Sequence, residues 1–121
     1  VNTKEDILAG LKKIQVLYRK STRWIRGASA RTSPRGKYVD PENPKAACFC
    51  LTGAAAHVAP NQQSEIVFAL ALAVRDLTGK DRGLNDMDTV QSYNDNRYRT
   101  IQDIRSVVST AIRIQKKAAW L

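Results

Sequence analysis

Pro44-Lys45-Ala46-Ala47-Cys48-Phe49-Cys50-Leu51-Thr52-Gly53-Ala54-Ala55-Ala56-His57-Val58 is small, apolar and nearly uncharged, and longer amphipathic segments lie on both sides of it. Its alanines favour helix. The spacing predicts a buried helix that starts at Pro44 or Lys45, runs through Ala46 to Val58 and ends before Pro60-Asn61. Gly53 is the weak point, at a cost of about 1 kcal/mol relative to alanine. A glycine at that position fits the close crossing of another helix backbone. Both cysteines and the only histidine fall here, so any thiol or imidazole chemistry would start from this stretch.

Outward from that core the chain reads as helices. Thr3 with Asp6 forms a variant capping box, and Ile7, Leu8, Leu11, Ile14 and Tyr18 make an apolar stripe, predicting a first helix from Lys4 to about Arg19. Arg23-Trp24-Ile25-Arg26-Gly27 reads as one further turn. Residues 28–45 hold Pro34, Gly36, Pro41 and Pro44 and no apolar period, which predicts a long loop with Tyr38-Val39 as its apolar anchor. Residues 62–78 are apolar on all faces between Ile66 and Val74 and close on Gly79 as a C-terminal cap. A short helix capped by Asp86 follows to Asp95, with Met87, Val90 and Tyr93 inward. Thr100 and Asp103 repeat the capping box before a last amphipathic helix that ends near Ala118. The expectation is an all-α fold: a single compact domain over residues 1–121, with about five helices around a small-residue central helix and one long basic loop.

A chain of 121 residues is the size of one domain. The longest apolar run, Ile66 to Val74, is far short of the roughly 18 to 20 residues of a membrane helix. Val1-Asn2-Thr3-Lys4-Glu5-Asp6 has neither the charge nor the apolar run of a signal peptide. These features predict a cytoplasmic protein with no membrane segment. Cys48 and Cys50 would point about 200° apart on a helix and read as free thiols.

The formal charge of +9 is uneven. Residues 1–45 carry eleven Lys and Arg against four acids, a balance of +7, and residues 46–121 carry nine against seven, a balance of +2. Between Lys12 and Lys37 there are nine cations and no acid. Such a field attracts polyanions. Arg19, Lys20, Arg23, Trp24, Arg26, Arg31, Arg35 and Lys37 are therefore the candidate residues for an anionic partner, with Trp24 and Tyr38 available for stacking. The plain alternative is a solvated basic face with Trp24 in the core.

Other constellations are weaker. Cys50 with His57 as base fails on geometry, since seven residues on one helix separate them by about 10.5 Å along the axis. Small buried thiols packed as hydrophobes explain the cysteines more simply. Cys48, Cys50 and His57 are too few for a zinc site, and no cofactor is expected. Asn94, Asp95, Arg99 and Thr100 form a polar corner whose simplest role is to end one helix and cap the next.

Two motifs stand together in order: Cys50-Leu51-Thr52-Gly53-Ala54, and Tyr93-Asn94-Asp95-Asn96-Arg97-Tyr98-Arg99-Thr100. The pair resembles an uncharacterised family of small bacterial and phage proteins with Cys-x-x-Gly-Ala and Trp-Asn-Asp-x-x-x-Arg-Thr ahead of a terminal helix. The likeness spans Trp24 to the C-terminus. It departs at Tyr93, where the family has tryptophan, and at Arg97-Tyr98, where Pro-Gly is expected. The resemblance implies an all-helical fold and a bacterial or phage origin, and brings no activity with it. The functional expectation is a small binding or regulatory protein whose N-terminal basic face meets nucleic acid or an acidic protein surface. The alternative is a thiol-dependent enzyme centred on Cys50 and Asp95. Paired amphipathic helices are compatible with a homodimer and do not require one.

Overall fold

In the computed structural model, which describes residues 3–118, the first helix α1 spans Lys4–Leu17. Val1 and Asn2, which open the N-terminus read above, lie outside the described residues. Thr3 and Asp6 close the expected capping box, each side chain accepting from the other's backbone N–H at 3.2 Å. Ile7, Leu11 and Ile14 are buried, as is Tyr18 just beyond the helix. The last helix, α5 (Ile101–Lys117), starts from the matching Thr100/Asp103 box and buries Ile104, Val107, Val108, Ala111 and Ile112 against α1 and α3. Between them lie α2 (Leu51–Val58), α3 (Gln63–Thr78) and α4 (Asp86–Asp95). α3 packs against the other four helices, and α2 touches α1, α3 and α4. The fold is an all-α single domain of five helices with one minimal sheet.

That sheet corrects the reading of the opening stretch. The helix does not begin at Pro44 or Lys45, which lie in a turn, but at Leu51, after an extended piece at Cys48–Phe49. Strand β1 (Ala30–Arg31) runs antiparallel to β2 (Cys48–Phe49), with Ala30 opposite Phe49 and Arg31 opposite Cys48. The Ala47 and Cys50 N–H groups donate to the Arg31 and Ser29 carbonyls at 2.9 and 3.3 Å. Burying Phe49 and Cys48 completely on an extended segment outweighs the helix preference of two alanines. Consequently Cys48 and Cys50 flank Phe49 on extended backbone and are not helical neighbours.

The 28–45 loop is correspondingly less free than its composition implies. Arg31 bridges to Tyr38, the Val39 N–H donates to the Ala30 carbonyl at 3.2 Å, and a turn at Ser33–Gly36 joins the two arms. Upstream, the expected turn over Arg23–Gly27 is replaced by a 3-10 turn at Ser21–Arg23 and an extended Trp24 that bridges to Phe49. Ile25 donates to the Phe49 carbonyl at 3.3 Å, and Gly27 turns the chain with φ of 74°.

Three smaller corrections follow from packing. Met87 faces solvent, and the inward face of α4 is Val90, Tyr93 and Asn94. Asn85, not Asp86, caps α4, its Oδ1 accepting the Asp88 N–H at 2.8 Å. α3 is not apolar-buried all round, since Phe68 and Leu77 are exposed. Its end is as expected, with Gly79 in the left-handed region at φ 66°.

Candidate functional site

Asn94 is fully buried and holds the corner together. Its Oδ1 accepts the Trp24 indole N–H at 2.8 Å and the Leu51 N–H at 3.1 Å. Its Nδ2 donates to the Ile25 carbonyl at 3.1 Å and to Asp95 Oδ1 at 3.0 Å. One amide thereby joins the Trp24 segment, the start of α2 and the end of α4, and uses its full hydrogen-bonding capacity. Asp95 extends the lock by accepting the Gly27 N–H at 3.0 Å and Gln91 Nε2 at 2.8 Å. Partial burial pushes the Asp95 carboxyl up, but the bonds from Gly27, Gln91 and Asn94 and the nearby Arg26 charge outweigh it, so the group lies below its ordinary value.

Cys50 sits at the N-cap of α2, its Sγ accepting the Gly53 N–H at 3.3 Å. The thiol is fully buried, 3.2 Å from Thr52 Oγ1, and Thr52 donates to Gln91 Oε1 at 3.0 Å. Cys50 and Asp95 are therefore neighbours only through Gln91. Burial, opposed by Arg23 and Arg31, pushes the Cys48 thiol up. Burial also raises the Tyr18 phenol, with Cys50 adding to it, and Tyr18 donates to the Phe49 carbonyl at 2.9 Å. His57 lies in the last turn of α2, away from Cys50. Its ring packs on Phe49 and its Nδ1 donates to the Pro41 carbonyl at 2.8 Å, pinning the basic loop. Gly53 accounts for the tight approach at this point. The backbone it meets is the Ser29 carbonyl, not a helix, and a methyl there would overlap that oxygen.

The basic residues divide by what they touch. Arg26 stacks on Trp24 at 4.6 Å and donates to the carbonyls of Asn96, at 3.3 Å, and Arg99. Arg31 stacks on Tyr38 at 4.1 Å and bonds its hydroxyl at 2.7 Å. Arg19, Lys20, Arg35 and Lys37 are exposed, and Arg23 is half-buried. Arg105, which the sequence reading passed over, donates to the Tyr18 and Arg19 carbonyls at 2.9 and 3.0 Å. Arg97 stacks on the exposed Tyr98 at 4.8 Å. Segment 19–26 is thus tied along segment 96–105, and the N-terminal cations gain Arg97 and Arg105 as neighbours. Among the described residues the two salt bridges are Arg75–Asp86 and Arg113–Asp76, neither on this flank. Thr100 is spent on its cap, and Arg99 turns its side chain away from the flank to stack on Tyr93 at 3.7 Å.

Gln91 and Arg105 are the contributors that sequence reasoning missed. Gln91 had a legible signal, four residues before Asp95 on one helix face. Among the described residues no three His, Cys, Asp or Glu side chains cluster as a metal site, and no helix is long and apolar enough to cross a membrane.

An all-helical domain whose buried asparagine locks three segments beneath a cationic flank is the class that fold and site define. The chain belongs to a family of unknown function, DUF6197, whose model matches residues 11–114. No curated protein and no solved structure matches it.

Proposed function

We propose that the protein binds single-stranded nucleic acid on the flank formed by Arg19, Lys20, Arg23 and Arg26 with Arg97 and Arg105. The observation that carries the reading is the stacking of arginines on aromatics, with no salt bridge among the described residues of the flank. Tyr38 and Tyr98 are 68% and 74% exposed, each beneath an arginine, which is the composition that holds phosphates while bases stack. On this reading the protein acts in a nucleic-acid-containing compartment, the cytoplasm, and its motifs suit a bacterial or phage-encoded chain.

Fluorescence anisotropy with a labelled oligonucleotide tests it, using poly-glutamate as the competing acidic polymer. Binding of the oligonucleotide that poly-glutamate displaces poorly, and that Tyr98→Ala weakens, supports the reading. Equal displacement by poly-glutamate with no effect of Tyr98→Ala favours an acidic protein partner instead.

A further inference from the structure

The geometry points to a binding site for a small organic phosphate in the cleft between α3, α4 and the start of α5. This cavity of about 530 Å³ adjoins the flank at Asn96 and Arg99 but draws on a different set of cations. Its size is that of sites that enclose small ligands, which typically span about 300–1,000 Å³.

Arg75, Lys80, Arg82 and Arg99 line it, against one lining carboxylate, Asp103. The Asp103 carboxylate is held at the α5 cap, its Oδ2 accepting the Thr100 N–H at 2.9 Å, and leaves the cations in excess. Arg75 is fixed through Nη2, which reaches the Leu84 carbonyl at 3.2 Å, Asp86 Oδ1 at 3.0 Å and Thr89 Oγ1 at 3.3 Å. Its Nε is buried and meets no acceptor among the described residues. Arg99 is held flat by its stack on Tyr93, and its Nε is buried without an acceptor in the same way. Those two atoms are the buried side-chain donors left unpartnered among the described residues, and both belong to arginines of this one cleft. A buried guanidinium N–H without an acceptor is unfavourable, so both arginines carry unspent hydrogen-bonding capacity, and an anion in the cleft is met by the remaining N–H groups of their forks.

Phosphate suits the site better than a carboxylate. Two charges and three acceptor oxygens match Arg99, the exposed cations Lys80 and Arg82, and the hydroxyls of Ser92 and Ser106, with Arg75 held at the wall by its pair with Asp86. Val74, Leu77 and Leu84 offer an apolar wall for the body that carries the phosphate. Tyr93, under Arg99, makes the cationic surface rigid before the ligand arrives, which lowers the ordering cost of binding.

The test is an NMR titration of the ¹⁵N-labelled full chain with adenosine 5′-monophosphate, adenosine and inorganic phosphate. The nucleotide should shift the amides of Thr78–Arg82 and of Ser92 and Tyr93 saturably, with a dissociation constant at or below about 1 mM. Inorganic phosphate should compete at the same amides, and adenosine should do neither. Arg99→Gln should weaken the nucleotide by about tenfold or more, the loss expected for a charge-assisted contact. Lys80→Gln with Arg82→Gln, both on exposed positions that leave folding untouched, should weaken it by about threefold to tenfold. Neutralising Arg19, Lys20 and Arg23 should leave it unchanged, which separates this site from the flank. Adenosine binding as well as its phosphate, shifts confined to the flank, no saturable shift from either phosphate probe, or an affinity that neither cleft variant lowers would each overturn the proposal.

Discussion

Replacing Asn94 by alanine should cost the protein a large part of its stability. Asn94 makes four hydrogen bonds from a fully buried position, and their partners differ in what they do once it is gone. The Leu51 N–H and the Ile25 carbonyl belong to buried residues and have no water to turn to. Each such orphan costs about 1–3 kcal/mol. The Trp24 indole and the Asp95 carboxylate reach solvent in part and recover most of what they lose. The sum is about 2–6 kcal/mol, before any loss from the small cavity left behind. A domain of this size is typically stable by only about 5–15 kcal/mol. Urea denaturation followed by far-UV circular dichroism reads the loss as a lower midpoint with an unchanged slope. Asn94→Asp separates hydrogen bonding from volume. It keeps the acceptor, loses the donor to Ile25, and sets a buried carboxylate beside that of Asp95, so near neutral pH it should be at least as damaging as alanine. Its deficit should shrink on acidification, because a carboxyl raised in the folded state destabilises only above its unfolded pKa of about 3.9. A loss below about 1 kcal/mol for Asn94→Ala would refute the view that this amide locks the three segments.

Gly53→Ala raises intrinsic helix propensity by about 1 kcal/mol yet should destabilise by about 2 kcal/mol or more, since the methyl meets the Ser29 backbone carbonyl; a thermal melt with a higher midpoint would contradict this. The Asp95 carboxyl lies below its ordinary value when folded, so it contributes stability above about pH 3.9 that is lost as pH falls through the folded value. Asp95→Asn should therefore fall behind the natural protein at pH 6 to 7, as an order-of-magnitude window, and converge with it in acid. Cys48 and Cys50 are 1% and 0% exposed, so a colorimetric thiol reagent should label both only as fast as the fold opens. Rapid stoichiometric labelling of Cys50 in the folded protein would instead favour a thiol-dependent activity.

How far the sequence reaches depends on the range of the interaction that fixes each element. α1 and α5 were legible almost to the residue, because Thr3 with Asp6 and Thr100 with Asp103 act within one turn and the apolar stripes need only local spacing. Gly79 was legible for the same reason. The start of α2 was not, because alanine propensity is local whereas the pairing of Ala30 with Phe49 reaches across the loop between them. Gly53 announced a close approach without saying what approaches. Asn94 and Asp95 share a polar lock, whereas Arg99 turns to Tyr93 and Thr100 to the α5 cap; the central bond of the lock joins Trp24 to Asn94 across 70 positions, and no local pattern encodes that. Arg26 and Arg105 likewise act on carbonyls 70 or more positions away, so the join between the two basic segments exists only in the folded chain. Arg75, Lys80, Arg82 and Arg99 sit in different segments of the chain and become a cluster only when α3, α4 and α5 close the cleft around them.

The salt dependence of oligonucleotide binding bears most directly on the proposed role of the flank. Affinity measured over a series of sodium chloride concentrations should fall linearly on a log–log plot, and Arg19→Gln with Lys20→Gln and Arg23→Gln should make the slope shallower by about two, three phosphate contacts at about 0.7 each. No binding at low salt, or a slope that the triple substitution leaves unchanged, would contradict it.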